Sequence, residues 1–198
     1  ARRMDPATIE QYLKSGGRVI CIKPPRQWGC IFGLQPRTAE TYSTVRNAYI
    51  RVRDDHPWLD SFPAHDLQIH GEAHIYGRGD DNCLAWVAGQ RGQVTPFPAV
   101  THASVGRGRV VLFAFDLTEC IVFHHQGRMT NASTGADPDA NRDGKFTADD
   151  LFEGMRDFQL RHVPQADALQ ELLTRTIDGL MGEVSPLPRL WRFPSAAP

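Results

Sequence analysis

The sequence predicts an α/β protein with an open sheet of mainly parallel strands and flanking helices. Two observations support this prediction. A helix, a Gly-Gly turn and an apolar strand follow one another near the start of the chain, which is half of a βαβ unit. Much later, Val110–Phe115 is apolar throughout, as is typical of a central strand covered on both faces.

The first helix has clear signals at both ends. Asp5 is a capping residue, Pro6 suits the first helical position, and the Gly16-Gly17 pair ends the helix. An apolar stripe lies between these signals. The strand that follows, Arg18–Ile22, is predicted to be buried because four of its five residues are apolar or cysteine.

The rest of the chain is predicted to complete a single domain over residues 1–198. It would carry an insertion at about residues 128–150 and an extended, proline-rich tail over residues 183–198. The last helix has a continuous apolar face. Strands are predicted over Cys30–Leu34, Tyr49–Val52, Leu67–Tyr76 and Cys83–Ala88, and helices over Glu119–Gln126, Asp149–Leu160 and Gln165–Met181.

Composition and charge exclude several classes of partner. The net charge is -1 and the pI is near 6.8, so the chain lacks the basic footprint of a nucleic-acid-binding domain. No stretch approaches the ~20 apolar residues that span a bilayer. We therefore expect neither nucleic acid nor a membrane as a partner. The four cysteines form no C-x-x-C pair, and Cys21 and Cys120 sit in apolar runs typical of core residues.

The segment DANRDGKFTADD, residues 139–150, has the spacing of a calcium-binding loop. Gly144 stands where the loop turns sharply and needs a positive φ. Calcium takes 6–8 oxygen ligands at about 2.3–2.6 Å, and the loop offers side-chain oxygens and one backbone carbonyl at suitable positions. The predicted cofactor is Ca²⁺, with the ligands Asp139, Asn141, Asp143, Lys145 (through its carbonyl) and Asp150.

The loop departs from the usual pattern at its last position. Asp150 stands where glutamate is usual, which resembles the dockerin variant of the EF-hand-type loop. The alternative is a solvated acidic turn that starts a helix. The residues upstream do not look helical, so a bound ion would be structural and would fasten residues 128–150. Such a loop fits an extracytoplasmic bacterial location.

The segment His70-Gly-Glu-Ala-His74 is the second candidate for chemistry. On a strand, side chains alternate, so His70, Glu72 and His74 would share one face. Two imidazoles and a carboxylate could bind Zn²⁺ or act as acid and base. The alternative is the polar outer face of an edge strand.

Two further carboxylates follow the central strand. Asp116 and Glu119 lie where open α/β sheets place ligand sites. Together with Glu72 they could form a two-carboxylate hydrolytic site of the kind that glycosidases use. Alternatively, Asp116 caps the next helix and Glu119 interacts with its dipole. The predicted catalytic candidates are Glu72, His70, His74, Asp116 and Glu119.

Two segments together resemble the class I glutamine-amidotransferase-like superfamily. These are PATIEQYLKSGGRVICIKP and VTHASVGRGRVVLFAFDLTE, in which the Gly106–Arg109 turn feeds a strand ending in Phe115-Asp116. The resemblance is strongest to ThuA-like proteins and to trimerisation domains of bacterial β-galactosidases. It covers residues 5–130 and 162–194 in patches. It implies a flavodoxin-like sheet whose first βα units precede residue 1, in a carbohydrate-processing protein.

The chain departs from active amidotransferases at the nucleophile. It has no Gly-x-Cys-x-Gly elbow, and Cys30 in WGCIFG is displaced by one residue. The expected function is a calcium-binding domain of a bacterial carbohydrate-processing protein that lacks the glutaminase nucleophile. The alternative is a metal-dependent hydrolase of glycosidic or ester bonds. The expected partners are carbohydrate or other domains of the parent protein, and a homo-oligomer stays open.

Overall fold

The computed structural model describes residues 5–34, 44–62, 66–78, 81–89, 93–125 and 163–182. Its α-helices are α1 (Pro6–Lys14), α2 (Leu117–His125) and α3 (Val163–Met181), and two 3-10 helices cover Arg26–Phe32 and Pro57–Leu59. Its strands are β1 (Arg18–Ile22), β2 (Thr44–Arg46), β3 (Tyr49–Val52), β4 (Asp66–Gln68), β5 (Glu72–His74), β6 (Cys83–Ala88), β7 (Val94–Val105) and β8 (Gly108–Phe113).

The main sheet is mixed and mostly antiparallel. Its six strands have the order β1-β8-β7-β6-β3-β4, and β2 pairs with β5 in a separate two-stranded sheet. Across the described strands, β1 and β8 are parallel and every other neighbouring pair is antiparallel. The prediction of a flavodoxin-like, mainly parallel sheet is therefore wrong.

A short connection explains much of this difference. The strands β7 and β8 are joined by the two-residue loop Gly106-Arg107, and Val105 is the register partner of Gly108. Gly106 has a φ of +60, which suits a tight hairpin turn. A hairpin makes its two strands antiparallel, whereas parallel strands need a long crossover. The more than eighty residues between β1 and β8 leave room for the crossover that their parallel pairing needs.

The central position predicted for β8 is confirmed. Successive side chains of a strand point to opposite faces. Val111 and Phe113 belong to the core cluster that includes Leu169 and Leu172 of α3. Val110 and Leu112 belong to a second cluster with Ile9 and Leu13 of α1. The sheet is thus covered by α1 on one face and by α2 and α3 on the other.

The predicted first helix and its cap are confirmed, but the burial of β1 is not. The Asp5 carboxylate accepts a hydrogen bond from the Ala7 N–H at 3.3 Å. The strand β1 is the end member of the described sheet. Cys21 is its buried residue, and Ile22 is 39% exposed. An apolar run is compatible with both a central and an edge strand, and the sequence does not distinguish them.

Two other predicted strands are corrected. Cys30–Leu34 is not a strand, because the 3-10 helix Arg26–Phe32 covers most of it and ends at Gly33 with a left-handed φ of +70. Leu67–Tyr76 is interrupted between β4 and β5. The predicted helix Asp149–Leu160, the insertion at about residues 128–150 and the tail from residue 183 lie outside the described residues. None of the described helices is long and apolar enough to cross a membrane.

Candidate functional site

The sequence predicted a ligand site at the carboxyl end of the central strand, now β8, and in the structure the end of the parallel strand β1 lies beside it. Lys23 directly follows β1, and its N–H donates to the carbonyl of the last residue of β8 at 2.7 Å. Asp116 stands between β8 and α2. The strand β5 also reaches this edge, since the His74 N–H donates to the Ala114 carbonyl at 2.8 Å. The strand β5 and the segments that follow β1 and β8 therefore lie close together beside the start of α2.

Asp116 is the N-cap of α2. One carboxylate oxygen accepts hydrogen bonds from the Thr118 hydroxyl at 2.6 Å and from the Glu119 N–H at 3.0 Å. The Thr118 hydrogen bond is the main cause that lowers the pKa of Asp116, with backbone N–H groups and the charge of Lys23 acting in the same direction. The first N–H groups of a helix have no partner within the helix, and the Asp116 carboxylate accepts a hydrogen bond there. This is the helix-capping role that the sequence analysis gave as the alternative for Asp116.

We expect Asp116→Ala to lower the free energy of unfolding by about 1 kcal/mol at pH 7, because α2 loses its cap. Asp116→Asn is the matched control, since an asparagine oxygen accepts the same hydrogen bonds. The folded-state pKa of Asp116 is lowered. Its charge-dependent stabilisation is therefore complete above the unfolded-state pKa of about 3.9 and is lost as the pH falls through the folded value.

Urea denaturation at pH 7 and pH 3 measures both effects of the Asp116 substitutions. The free energy of unfolding that Asp116→Ala loses, relative to the native chain, should be smaller at pH 3 than at pH 7. If the alanine and asparagine variants lose equal free energy of unfolding at pH 7, the result would contradict the capping role of Asp116.

The segment from His70 to His74 does not form one strand. Gly71 has a left-handed φ of +72 and separates β4 from β5. Its N–H donates to the Asn47 side-chain oxygen at 3.1 Å, and the Asn47 N–H donates to the Gly71 carbonyl at 3.0 Å. The prediction that three alternating polar side chains share one strand face is therefore wrong. Of these three, Glu72 and His74 lie on the same face of β5.

His70 is held in the interior beside α2. It is 7% exposed, and its N–H donates to Cys120 Sγ at 3.3 Å. Its ring packs against the His124 ring, with the centroids 4.6 Å apart. His124 Nε2 lies 2.8 Å from the Gln68 carbonyl oxygen. These contacts connect β4 to α2 and give His70 a packing role.

Glu72 is the centre of a partly exposed group of charges. Its carboxylate oxygens lie 3.9 Å from Lys23 Nζ, 3.6 Å from Arg46 Nη2 and 3.9 Å from His74 Nε2. The side chain is 32% exposed. His74 Nδ1 lies 3.0 Å from the Pro24 carbonyl oxygen, and a hydrogen bond there places the proton on Nδ1 and orients the ring. The pair offers an imidazole beside a carboxylate that solvent can reach.

Glu119 lies over the turn between β4 and β5. A Cβ atom added to Gly71 would stand 3.4 Å from Glu119 Oε2, so the carboxylate covers this glycine. The five candidates are thus divided among four places near the start of α2. Glu72 and His74 lie in the charged group, Asp116 caps the helix, Glu119 covers the turn, and His70 is buried.

Metal binding was predicted for two parts of the chain. The described ranges contain no group of three or more histidine, cysteine, aspartate or glutamate side chains placed to hold a metal ion. The calcium-loop prediction falls on residues outside these ranges, and it stays a prediction. Its residues are Asp139, Asn141, Asp143, Lys145 and Asp150.

All four cysteines lie within the described residues, and none forms a disulfide. Burial raises the pKa of Cys21 and of Cys120 to about 11, so both thiols are protonated at neutral pH. Cys30 is exposed in the 3-10 helix, and its thiol donates to the Gln27 carbonyl at 3.7 Å. The structure thus explains why the apolar runs around Cys21 and Cys120 predicted core residues.

An apolar groove runs along the edge of β1 that pairs with no other strand of the described residues, here called the free edge. The sequence did not predict this groove. It has a volume of about 530 Å³ and is bounded by α1, by β1 and by the turn that follows β1. Tyr12 on its rim is 54% exposed. The available signal was the Pro24-Pro25 pair followed by Trp28, but local sequence does not show which strand edge is without a partner. The lining includes Ile9, Tyr12, Ile20, Ile22, Pro24 and Trp28.

Comparison with known proteins gives weak structural neighbours. No family model and no curated protein matches the chain. A cold-adapted β-galactosidase from Rahnella sp. R3 has a TM-score of 0.40 at 12% identity, over 55% of this chain and 18% of that chain. A β-galactosidase from Bacillus circulans has a TM-score of 0.38 at 12% identity, over 56% and 18%.

A protein from Salmonella typhimurium that is described as cytoplasmic is also similar to the chain. Its TM-score is 0.37 at 12% identity, over 59% of this chain and 52% of that chain. The chain therefore spans less than a fifth of the length of the two β-galactosidases. At TM-scores of this size, the similarity assigns neither a fold family nor a function.

Proposed function

We propose that this chain is an accessory domain of a bacterial carbohydrate-processing protein, and that it acts by binding and packing. The groove along β1 is the observation that supports this role. It combines an open strand edge with apolar walls, and such surfaces accept extended segments that add a strand to a sheet. Proteins usually block exposed strand edges with charges, prolines or bulges.

The backbone pattern of β1 shows which groups the edge presents. The Gly17 carbonyl accepts from the Arg109 N–H at 3.1 Å, and the Lys23 N–H donates to the Phe113 carbonyl at 2.7 Å. Because β1 and β8 are parallel, the backbone N–H and carbonyl groups of the odd-numbered residues of β1 therefore point towards β8. The N–H and carbonyl groups of Ile20 and Ile22 point away from β8 and towards the groove.

The remaining parts of this proposal come from the sequence. The resemblance to the class I glutamine-amidotransferase-like superfamily, and within it to trimerisation domains of bacterial β-galactosidases, supports the carbohydrate-processing context. The spacing of DANRDGKFTADD supports a structural calcium ion in the insertion. The absence of a glutaminase elbow from the sequence supports a role other than glutamine hydrolysis.

A hydrolase is the second candidate function, and one observation favours it. Glu72 and His74 lie together at the ends of the parallel strands, within 3.9 Å of one another and partly exposed. A carboxylate beside an imidazole can serve as acid and base for a glycosidic or ester bond. Lys23 Nζ and Arg46 Nη2 lie 3.9 and 3.6 Å from the Glu72 carboxylate.

An activity assay separates the two candidates. We expect the purified chain to hydrolyse aryl glycosides and aryl esters no faster than its Glu72→Gln variant, with or without a chelator. Glu10→Gln is the matched control, because Glu10 is an exposed partner of Lys14 on α1, away from the strand ends. Activity that persists through repurification, remains in Glu10→Gln and disappears in Glu72→Gln would establish the hydrolase and overturn the accessory role.

A further inference from the structure

We propose that residues 183–198, which follow α3, fill the apolar groove and pair with the free edge of β1. This inference rests on the proposed function, because it names the segment that the groove binds. Three observations support it: the place where α3 ends, the length of a proline-free run in the segment, and the chemistry of the groove walls.

The end of α3 lies beside the start of β1. Arg18 Nε, on the first residue of β1, donates to the Leu180 carbonyl at 2.7 Å. Arg109, at the neighbouring position of β8, donates from Nη1 to the Gly179 carbonyl at 3.1 Å. The helix ends at Gly182, which has a left-handed φ of +81. The segment from residue 183 therefore starts next to the edge that it would pair with.

The segment has a run of the right length. Sixteen residues follow Gly182, and the five residues Arg189–Phe193 are the longest stretch without proline between Pro186 and Pro194. The strand β1 is also five residues long. Proline has no N–H to donate, so Pro188 and Pro194 would confine pairing to these five residues. The six residues before the run can extend about 20 Å.

The side chains of the run suit the groove. On an extended chain, Trp191 and Phe193 point to the same side. The groove offers Tyr12, Trp28 and Pro24, together with the aliphatic side chains of β1. Burial of two aromatic side chains against such walls contributes the apolar contact, and the outward N–H and carbonyl groups of β1 contribute the hydrogen bonds.

Amide hydrogen exchange in the full-length chain tests the proposal residue by residue. The Ile20 and Ile22 N–H groups face the groove, whereas the Cys21 N–H faces β8 and is the internal control. We expect Ile20 and Ile22 to exchange at least about tenfold more slowly in the native chain than in a Trp191→Ser/Phe193→Ser variant. Cys21 should exchange at the same rate in both. Arg192→Ser is the matched control, because that side chain points away from the aromatic pair.

Two further measurements distinguish the possible occupants. A synthetic peptide of residues 183–198, added to the double variant, should restore slow exchange at Ile20 and Ile22. Equal exchange rates at these amides in the native chain and the double variant would overturn the proposal. Protection that rises with protein concentration and persists in the double variant would assign the edge to a second copy of the chain, and would also overturn it. The hydrolysis assay tests the proposed accessory role separately, because its result does not depend on these exchange rates.

Discussion

Replacing Gly108 by alanine is expected to lower the free energy of unfolding by about 3 kcal/mol or more, the range of severe overpacking. A Cβ atom at this position would stand 2.2 Å from the Leu13 carbonyl oxygen and 2.5 Å from the Gly17 carbonyl oxygen. Both are backbone atoms at the junction of α1 and β1, and neither can move away as a flexible side chain could. The helix α1 would have to separate from the start of β8.

Gly29→Ala is the matched control for this substitution. A Cβ atom on Gly29 would meet Tyr76 and Leu34 side-chain atoms at 3.5 and 3.7 Å, which is ordinary van der Waals contact. Urea denaturation of the two variants and the native chain gives the comparison. Similar midpoints for Gly108→Ala and Gly29→Ala would show that the close approach of α1 to β8 does not hold in solution.

Saturating calcium is expected to raise the melting temperature of the chain by roughly 5–10 °C over its value in chelator. Binding to the folded state at a free calcium concentration of 100 Kd contributes about 2.7 kcal/mol. For a chain of this length, 1 kcal/mol corresponds to about 2–4 °C. The effect depends on DANRDGKFTADD, in which five residues were predicted to supply the ligands.

Two substitutions in the loop make this calcium prediction specific. Asp139→Ala should abolish the calcium-dependent rise, because it removes the first predicted ligand. Asp149→Ala should keep the rise, since Asp149 is next to Asp150 but has no predicted contact with the ion. Thermal melts with calcium and with chelator, together with titration calorimetry, provide the readout. A melting temperature that is unchanged between calcium and chelator would refute the calcium loop.

Local signals in the sequence predicted several elements well. The cap at Asp5, the apolar strand β8 and the apolar face of α3 all depend on residues a few positions apart, so the sequence contains the information. The tight turn at Gly106 was also evident. A tight turn of this kind makes the two strands beside it antiparallel, as β7 and β8 are, which contradicts the mainly parallel sheet that the first helix and strand predicted.

The candidate site was predicted in part. The sequence pointed to the end of the central strand near Asp116 and to the segment from His70 to His74, and in the structure Glu72 and His74 of that segment lie together. The alternation of side chains between the two faces of a strand stops at Gly71, which has a left-handed backbone conformation. His70, before this residue, is therefore in the interior, whereas Glu72 and His74, after it, are partly exposed. A glycine inside a polar alternating run is compatible with a continuous strand or with a break. The Asn47 hydrogen bonds that select the break come from a distant part of the chain.

The sequence by itself determined the ends of α1, the apolar character of β8 and α3, and the calcium-type spacing of residues 139–150. The tertiary structure decided which strands are neighbours, which way they run, and that β1 is the end strand of the described sheet with a groove beside it. The physical reason is that helix and strand periodicity is set by neighbours along the chain. Strand order and edge exposure depend on contacts between distant residues, such as Gly108 with Leu13 and Arg18 with Leu180.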